Sequence, residues 1–397
     1  MARREWWQKP SLRTDEEEGR DRKVGWLELF FDLYFVVTIA ELAHNLAGHV
    51  SWVGLGQFVF LFLPVWWIWI GATYYIERFE TDGIEHRLIV FGQMIPIAGL
   101  AVFAHHGMGE TSVGYALSYA LCRLLHTFLW WRGGRYDRQF RPVAKRFVLG
   151  FSISVGLFCL SVFMPPPVRF WLWGVGLFID FVTPVLTLKQ QTALPRLSTS
   201  KLPERYRLFM IIVLGESVVG VVSGLAAQEK FSVSIAIAAI LGITLAFGLW
   251  WIYFDFVGRR PPKPNIVSAL CWSYLHLPLA IAITATGAGI LNVIADEDGL
   301  MNYSVGLLIA GAVGATLVTI GLIETVLSRD SDEPTHPRLS PGLKFAGGAI
   351  ALFIGLVSNG FNIAVLEALL LIPISVQMVY GLYVWFTQDL EKATSAG

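Results

Sequence analysis

Glu28-Leu-Phe-Phe-Asp32-Leu-Tyr-Phe-Val-Val-Thr-Ile-Ala-Glu41-Leu-Ala-His44 is an apolar run that carries three acids and a histidine. Read as a helix, it puts Glu28 and Asp32 on one face, four residues apart, and Glu41 and His44 on another, three apart. A run this apolar belongs in a bilayer. Ionisable groups are costly there, and each is a candidate functional residue. The rest of the chain is read as the walls around this helix.

The composition agrees. Of the 397 residues, 55% are hydrophobic and 15% charged, where a soluble domain carries about 25% charged residues. Mean hydropathy is +0.58. The net charge of zero leaves no electrostatic footprint for nucleic acid. Cys122, Cys159 and Cys271 lie in apolar runs and read as small core hydrophobes rather than a disulfide framework. The first 25 residues have no apolar h-region, so they read as a polar cytoplasmic tail and not a signal peptide. Trp6 and Trp7, and the acidic run from Asp15 to Glu18, lie in that tail.

Twelve stretches are long and apolar enough to span: 26–48, 54–76, 86–105, 112–132, 145–164, 169–188, 206–227, 231–256, 265–294, 303–327, 342–358 and 363–386. The expected fold is therefore an all-α polytopic bundle of about twelve helices. With the N-terminus inside, 27 of the 30 Lys and Arg fall on the inner side. Arg169 and Lys230 alone fall outside, and Arg123 lies within a span. That asymmetry places both termini in the cytoplasm and the protein in the cell's inner (plasma) membrane.

The chain echoes itself in order. Trp66-Trp67-Ile68 matches Trp250-Trp251-Ile252, Pro96 matches Pro278, Ser112-Val-Gly114 matches Ser304-Val-Gly306, and Arg146-Phe147 matches Lys344-Phe345. These echoes suggest two parallel six-helix halves, 26–188 and 206–387, joined by a cytoplasmic linker at 189–205 and followed by a tail at 388–397.

Depth follows from a rise of ~1.5 Å per residue. Asp32 lies ~9 Å inside the inner boundary, while Arg123, Asp180, Glu216 and His276 lie near the midplane at about 14–17 Å. His126 is level with Asp32. A lone midplane arginine costs ~2.5–3.5 kcal/mol or more, so Arg123 needs an acid, and Asp180 and Glu216 are at its level. An acid left without a cation suits proton or cation coupling. Asp32, Glu41, Asp180 and Glu216 together face one fixed cation, Arg123.

Glu41 and His44 have the Glu-x-x-His spacing of helical metal sites, with His49, His105 and His106 toward the same outer face. Loop histidines usually just meet water, so no metal is expected. Glu77-Arg78, Glu85, His86, Asp255, Arg259-Arg260 and Glu324 read as interfacial charges. Gly220 and Gly224 mark close helix packing one turn after Glu216. Pro96, Pro184, Pro278 and Pro373 interrupt helices and free carbonyls, as in cavity-lining transporter helices. No phosphate loop, catalytic serine or zinc motif, potassium filter or voltage-sensing arginine ladder occurs. Neither an enzyme nor a cofactor is expected.

Trp26-Leu-Glu28-Leu-Phe-Phe-Asp32-Leu-Tyr-Phe-Val resembles the opening signature of the low temperature requirement protein A (LtrA) family of bacterial membrane proteins. Glu204-Arg205-Tyr-Arg-Leu-Phe-Met-Ile-Ile-Val-Leu-Gly215-Glu216-Ser217 resembles its second signature, and Trp250-Trp-Ile-Tyr-Phe-Asp255 a third. By that similarity the marked positions are Glu28, Asp32, Glu204, Arg205, Glu216, Ser217 and Asp255. Tyr34 stands where the family more often has a small or aliphatic residue. The resemblance implies a link to growth in the cold and no defined molecular activity. Phe30-Phe31-Asp32 is also faintly similar to the Phe-Ser-Asp triplet of certain two-repeat potassium channels, though no such triplet opens the second half.

The leading expectation is a proton- or cation-coupled secondary transporter. Asp32 and Glu216 are its coupling carboxylates, Arg123 and Asp180 a midplane pair, and His126 a relay. Glu28, with Glu41, His44, His276 and Ser217 as secondary candidates, completes the set. Its partners are membrane lipids and a small solute or ion, with protons a candidate. The alternatives are a cation channel and a membrane-embedded enzyme or sensor acting on lipids.

Overall fold

The computed structural model describes residues 7–13, 24–80, 83–228, 232–295, 302–329 and 335–395. Thirteen helices account for most of them. In unit 1 these are α1 (Trp26–Gly48), α2 (Trp52–Arg78), α3 (Ile84–Ala104), α4 (Ser112–Tyr136), α5 (Arg141–Ser161), α6 (Val168–Leu186) and the single turn α7 (Leu188–Gln191). In unit 2 they are α8 (Lys201–Ala226), α9 (Val233–Tyr253), α10 (Ile266–Ala295), α11 (Tyr303–Val326), α12 (Leu339–Val357) and α13 (Ile363–Ser395). The boundary is not a clean cut. The compact units are Met1–Asn45, Gly56–Arg205 and Asn265–Val267 against Leu46–Leu55, Tyr206–Pro264 and Ser268–Gly397.

All helices but α7 are long because they are apolar on most faces and must satisfy every backbone group internally where no water reaches. Ten are long and apolar enough to cross a membrane. The other two long helices, α1 and α4, have 23 and 25 residues, which is the same length class, and each carries three charged residues and a histidine.

In unit 1, α4 packs against α3 and α5, and α5 against α6. An aromatic cluster of Tyr75, Phe79, Trp130, Phe140 and Phe147 fills the end where α2, α4 and α5 converge. In unit 2, α11 packs on α12, α12 on α13, and α9 on α13. The π-helical turn Phe254–Gly258 extends α9. Gly220 of α8 and Gly287 of α10 bring two backbones together. A Cβ on Gly220 would stand 2.6 Å from the Gly287 carbonyl oxygen, and one on Gly287 would stand 3.0 Å from the Glu216 backbone.

Two expectations need correction. The linker is shorter than 189–205 because α8 begins at Lys201. Pro203 falls in its first turn, where the missing N–H is not needed. Nor is the described part of the N-terminal segment a free tail. Ser11–Leu12 (β1) pairs antiparallel with Phe79–Glu80 (β2), and the Arg132 guanidinium lies 4.4 Å over the Trp7 ring. Trp6 and the acidic run from Asp15 to Glu18 lie outside the described residues. Cys122 is buried as expected, but Cys159 and Cys271 face outward.

Candidate functional site

In unit 1, α1 delivers Glu28 and Asp32 one turn apart to the start of α8. Lys201 Nζ lies 2.6 Å from Glu28 Oε1, Arg205 Nη1 3.1 Å from Glu28 Oε2, and Arg205 Nη2 3.2 Å from Asp32 Oδ1. Trp69 of α2 donates its indole N–H to the same Asp32 oxygen at 3.1 Å. Two acids and two cations thus form a neutral, buried quartet. One guanidinium fork bridges carboxylates four residues apart, a geometry that arginine holds better than lysine. Asp32 Oδ2 is buried and makes no hydrogen bond to the described residues.

A second buried pair lies deeper in the same unit. Arg123 Nη2 stands 2.8 Å from Asp180 Oδ1. Tyr119 donates its hydroxyl to Asp180 Oδ2 at 2.5 Å, and Ser154 donates to the same oxygen at 2.7 Å. The Arg123 guanidinium also sits 4.0 Å over the Phe151 ring. Of the two acids expected at its level, Arg123 takes Asp180. Three donors from α4 and α5 fix this carboxylate, so the pair is a rigid dipole rather than an exchangeable group. His126, one turn along α4 from Arg123, is fully buried and within electrostatic reach of both Arg123 and Arg205. Neither ring nitrogen has a hydrogen-bond partner among the described residues. It therefore feels the charges of both the quartet and the Arg123–Asp180 pair, and neither of its nitrogens is engaged by the described residues.

Unit 2 is different. Glu216 of α8 is buried, and it forms no ion pair or hydrogen bond with the described residues. Its neighbour Ser217 has a buried hydroxyl in the same condition, as has Thr284 of α10. Glu367 of α13 is fully buried with both carboxylate oxygens unpartnered among the described residues. Gly242 of α9 makes room for it, since a Cβ there would lie 3.3 Å from Glu367 Oε1 and also touch Ile290 and Val221.

Several expected roles change. Asp32 is not short of a cation, because Arg205 and Lys201, read as linker charges, are buried with it. Residues read as interfacial are buried in ion pairs instead. Arg13 bonds Glu77 at 2.7 Å, Arg132 bonds Glu85 at 3.0 Å, and Lys344 bonds Glu324 at 3.1 Å with Arg260 at 3.7 Å. His276 donates from Nδ1 to the Trp272 carbonyl at 2.8 Å, and its Nε2 faces the Tyr253 hydroxyl at 3.3 Å. It is a satisfied core histidine in an aromatic surround. Glu41 is half-buried, and exposed His44 bonds its own helix at the Ala40 carbonyl and nothing else among the described residues. No three metal-ligating side chains gather among the described residues.

Glu367 escaped the sequence reading, yet it is the single acid between Ile363 and Phe386, and that isolation was the available signal. Trp69 carried no signal at all among fifteen tryptophans.

The chain is 25% identical over 288 residues to an uncharacterized protein, RA0937, of Rhizobium meliloti (strain 1021), covering 69% of this chain and 70% of that protein. No solved structure matches. The profile of the bacterial low temperature requirement A protein (LtrA) matches residues 23–382. With the apolar helices and the buried acids at its signature positions, the chain is a multi-pass membrane protein that belongs to the LtrA family.

Proposed function

We propose that this protein is a proton- or cation-coupled secondary transporter of the inner membrane, with both termini cytoplasmic. The observation that carries the reading is the pair of buried carboxylates in unit 2, Glu216 and Glu367, which have no cation or hydrogen-bond donor among the described residues. Elsewhere among the described residues, buried acids are neutralised by arginine or lysine. Leaving two uncompensated costs several kcal/mol per ion unless a proton or cation is bound. A protein that only needed stable helices would have an apolar residue at each position. Coupling gives such a group a purpose, because it is loaded and unloaded as the ion crosses.

Unit 1 then contributes a neutral, polar counterpart, the Glu28–Lys201–Arg205–Asp32 quartet with His126 in electrostatic reach of Arg205. Its network can rearrange by moving a single proton or by releasing one arm of Arg205. The six long helices of each unit fit a parallel repeat. The fourth and fifth pack together in both, as do the fifth and sixth.

The test is flux in sealed liposomes containing a pH-sensitive dye. Wild type should carry an ion- or solute-dependent proton or cation flux. Asp32→Asn, Glu216→Gln and Glu367→Gln should each remove it while eluting as folded protein. No flux in wild type under any imposed gradient would sink the proposal.

A further inference from the structure

The turn between α4 and α5 in unit 1 holds a groove of about 280 Å³. Its floor is close-packed, since a Cβ on Gly134 would stand 2.2 Å from Ala144 Cβ. Its walls are Trp131 and Arg135 from α4, and Arg141, Lys145 and Val148 from α5. Three cations line it and no acid does. Among the described residues none of the three is in an ion pair, nor is Arg138 of the same turn. Arg141 is held over the groove by its own backbone contacts, with Nε donating to the Gly134 carbonyl at 3.2 Å and Nη2 to that of Arg135 at 3.4 Å.

An exposed apolar stripe leads into the groove. Leu117, Leu121, Leu124, Phe128 and Trp131 follow one another at three- and four-residue spacing, so they share one face of α4, and all are exposed. Arg135 is the next residue on that face. On α5, Leu149 and Ile153 are exposed directly beyond Lys145 and Val148. With Arg123 near the midplane, Arg135 lies ~18 Å along the axis from it, just past the ~15 Å half-thickness of the hydrocarbon layer. Trp131 then falls at the interface, where tryptophan is favoured.

We propose that this groove binds an anionic phospholipid, with the phosphate between Arg135, Arg141 and Lys145 and the acyl chains along the α4–α5 stripe. The charge decides the headgroup, because three cations outside any ion pair among the described residues, in a lining that holds no acid, select a phosphate without a compensating ammonium. Asp137 of the same turn is turned to its own backbone, accepting from the Phe140 N–H. The stripe decides the source, because a free phosphate would leave that apolar face unused. The site is independent of the transport reading, since none of its residues contacts the buried acids.

Native mass spectrometry of the full-length protein in detergent tests it. Wild type should retain phosphatidylglycerol in preference to phosphatidylcholine of the same chains. Removing the cations (Arg135→Gln, Arg141→Gln and Lys145→Gln) should weaken phosphatidylglycerol binding roughly fivefold per cation, while Arg138→Gln, outside the groove, should leave it unchanged. Equal retention of the two lipids by wild type would overturn the proposal. So would undiminished binding by the triple variant, or displacement of the lipid by millimolar glycerol 3-phosphate, which would make this a soluble-anion site. If the triple variant does not fold, the wild-type comparison of the two lipids and the glycerol 3-phosphate competition still decide.

Discussion

Arg205 shows how one side chain sets the character of a site. It reaches Glu28 with one nitrogen and Asp32 with the other, so α1 presents no net charge at that level once Lys201 is counted. Arg205→Met should leave two buried acids with one cation and cost about 3–5 kcal/mol, read as a fall in melting temperature in detergent. Arg205→Lys keeps the charge but cannot span both carboxylates, so it should fall between the two. The Arg123–Asp180 pair tests the opposite case. Arg123→Met strands Asp180 among Tyr119 and Ser154 and should destabilise by a similar amount. Adding Asp180→Leu should recover much of the loss, because two apolar residues replace a costly pair. No recovery would mean that the Tyr119 and Ser154 hydroxyls, which lose their acceptor with Asp180, cost as much as the stranded carboxylate. That Arg123 needs an acid is legible in the sequence, since a cation in an apolar run must be compensated. Which acid it takes is not, because Asp180 and Glu216 sit at the same depth on their own helices and only tertiary neighbours separate them.

At the scale of the helix, length and apolarity place the twelve long elements to within a few residues, except that α13 runs on to Ser395 through most of the expected tail at 388–397. They were not enough to place the start of α8. Lys201, Glu204 and Arg205 make that segment look like a solvated linker, and only the carboxylates of α1 explain why its charges can be buried. The same holds for Glu77, Glu85 and Glu324, whose positions near helix ends suggested water and whose cations come from segments distant in sequence. The Gly220–Gly287 crossing was half legible, through the small-residue spacing on α8. Its partner on α10 was not. The crossing yields a sharp contrast. Gly287→Leu forces a side chain into the Glu216 backbone and should cost about 1–3 kcal/mol or more. Gly311→Leu on α11, where a Cβ meets nothing within 4 Å, should melt like wild type. Because Glu216 and Ser217 sit at the crossing, Gly287→Leu should also reduce any flux more than its stability loss alone explains, judged against a core variant of equal melting temperature.

For the whole molecule, the strongest statement in the sequence is the distribution of its cations, and it makes the orientation testable. Each Lys or Arg resists passage through the hydrocarbon layer, so loops rich in them stay on the side of synthesis. The segment from Arg132 to Arg146, which contains the turn at 137–140, carries six cations, whereas the turn that follows α5, at 162–167, has none before Arg169. α5 alone separates the two turns, so they must lie on opposite sides if it crosses. Cys122 is buried, but Cys159 and Cys271 are exposed, so all three are first replaced by serine or alanine. Arg138→Cys and Pro165→Cys are then introduced singly, both at exposed positions. In intact cells a membrane-impermeant maleimide should label Pro165→Cys and leave Arg138→Cys unlabelled until the membrane is opened. Labelling of both in intact cells would mean that α5 does not span. The reverse pattern would invert the protein, put the cation-lined α4–α5 groove on the outer leaflet, and turn the direction of any coupled flux around.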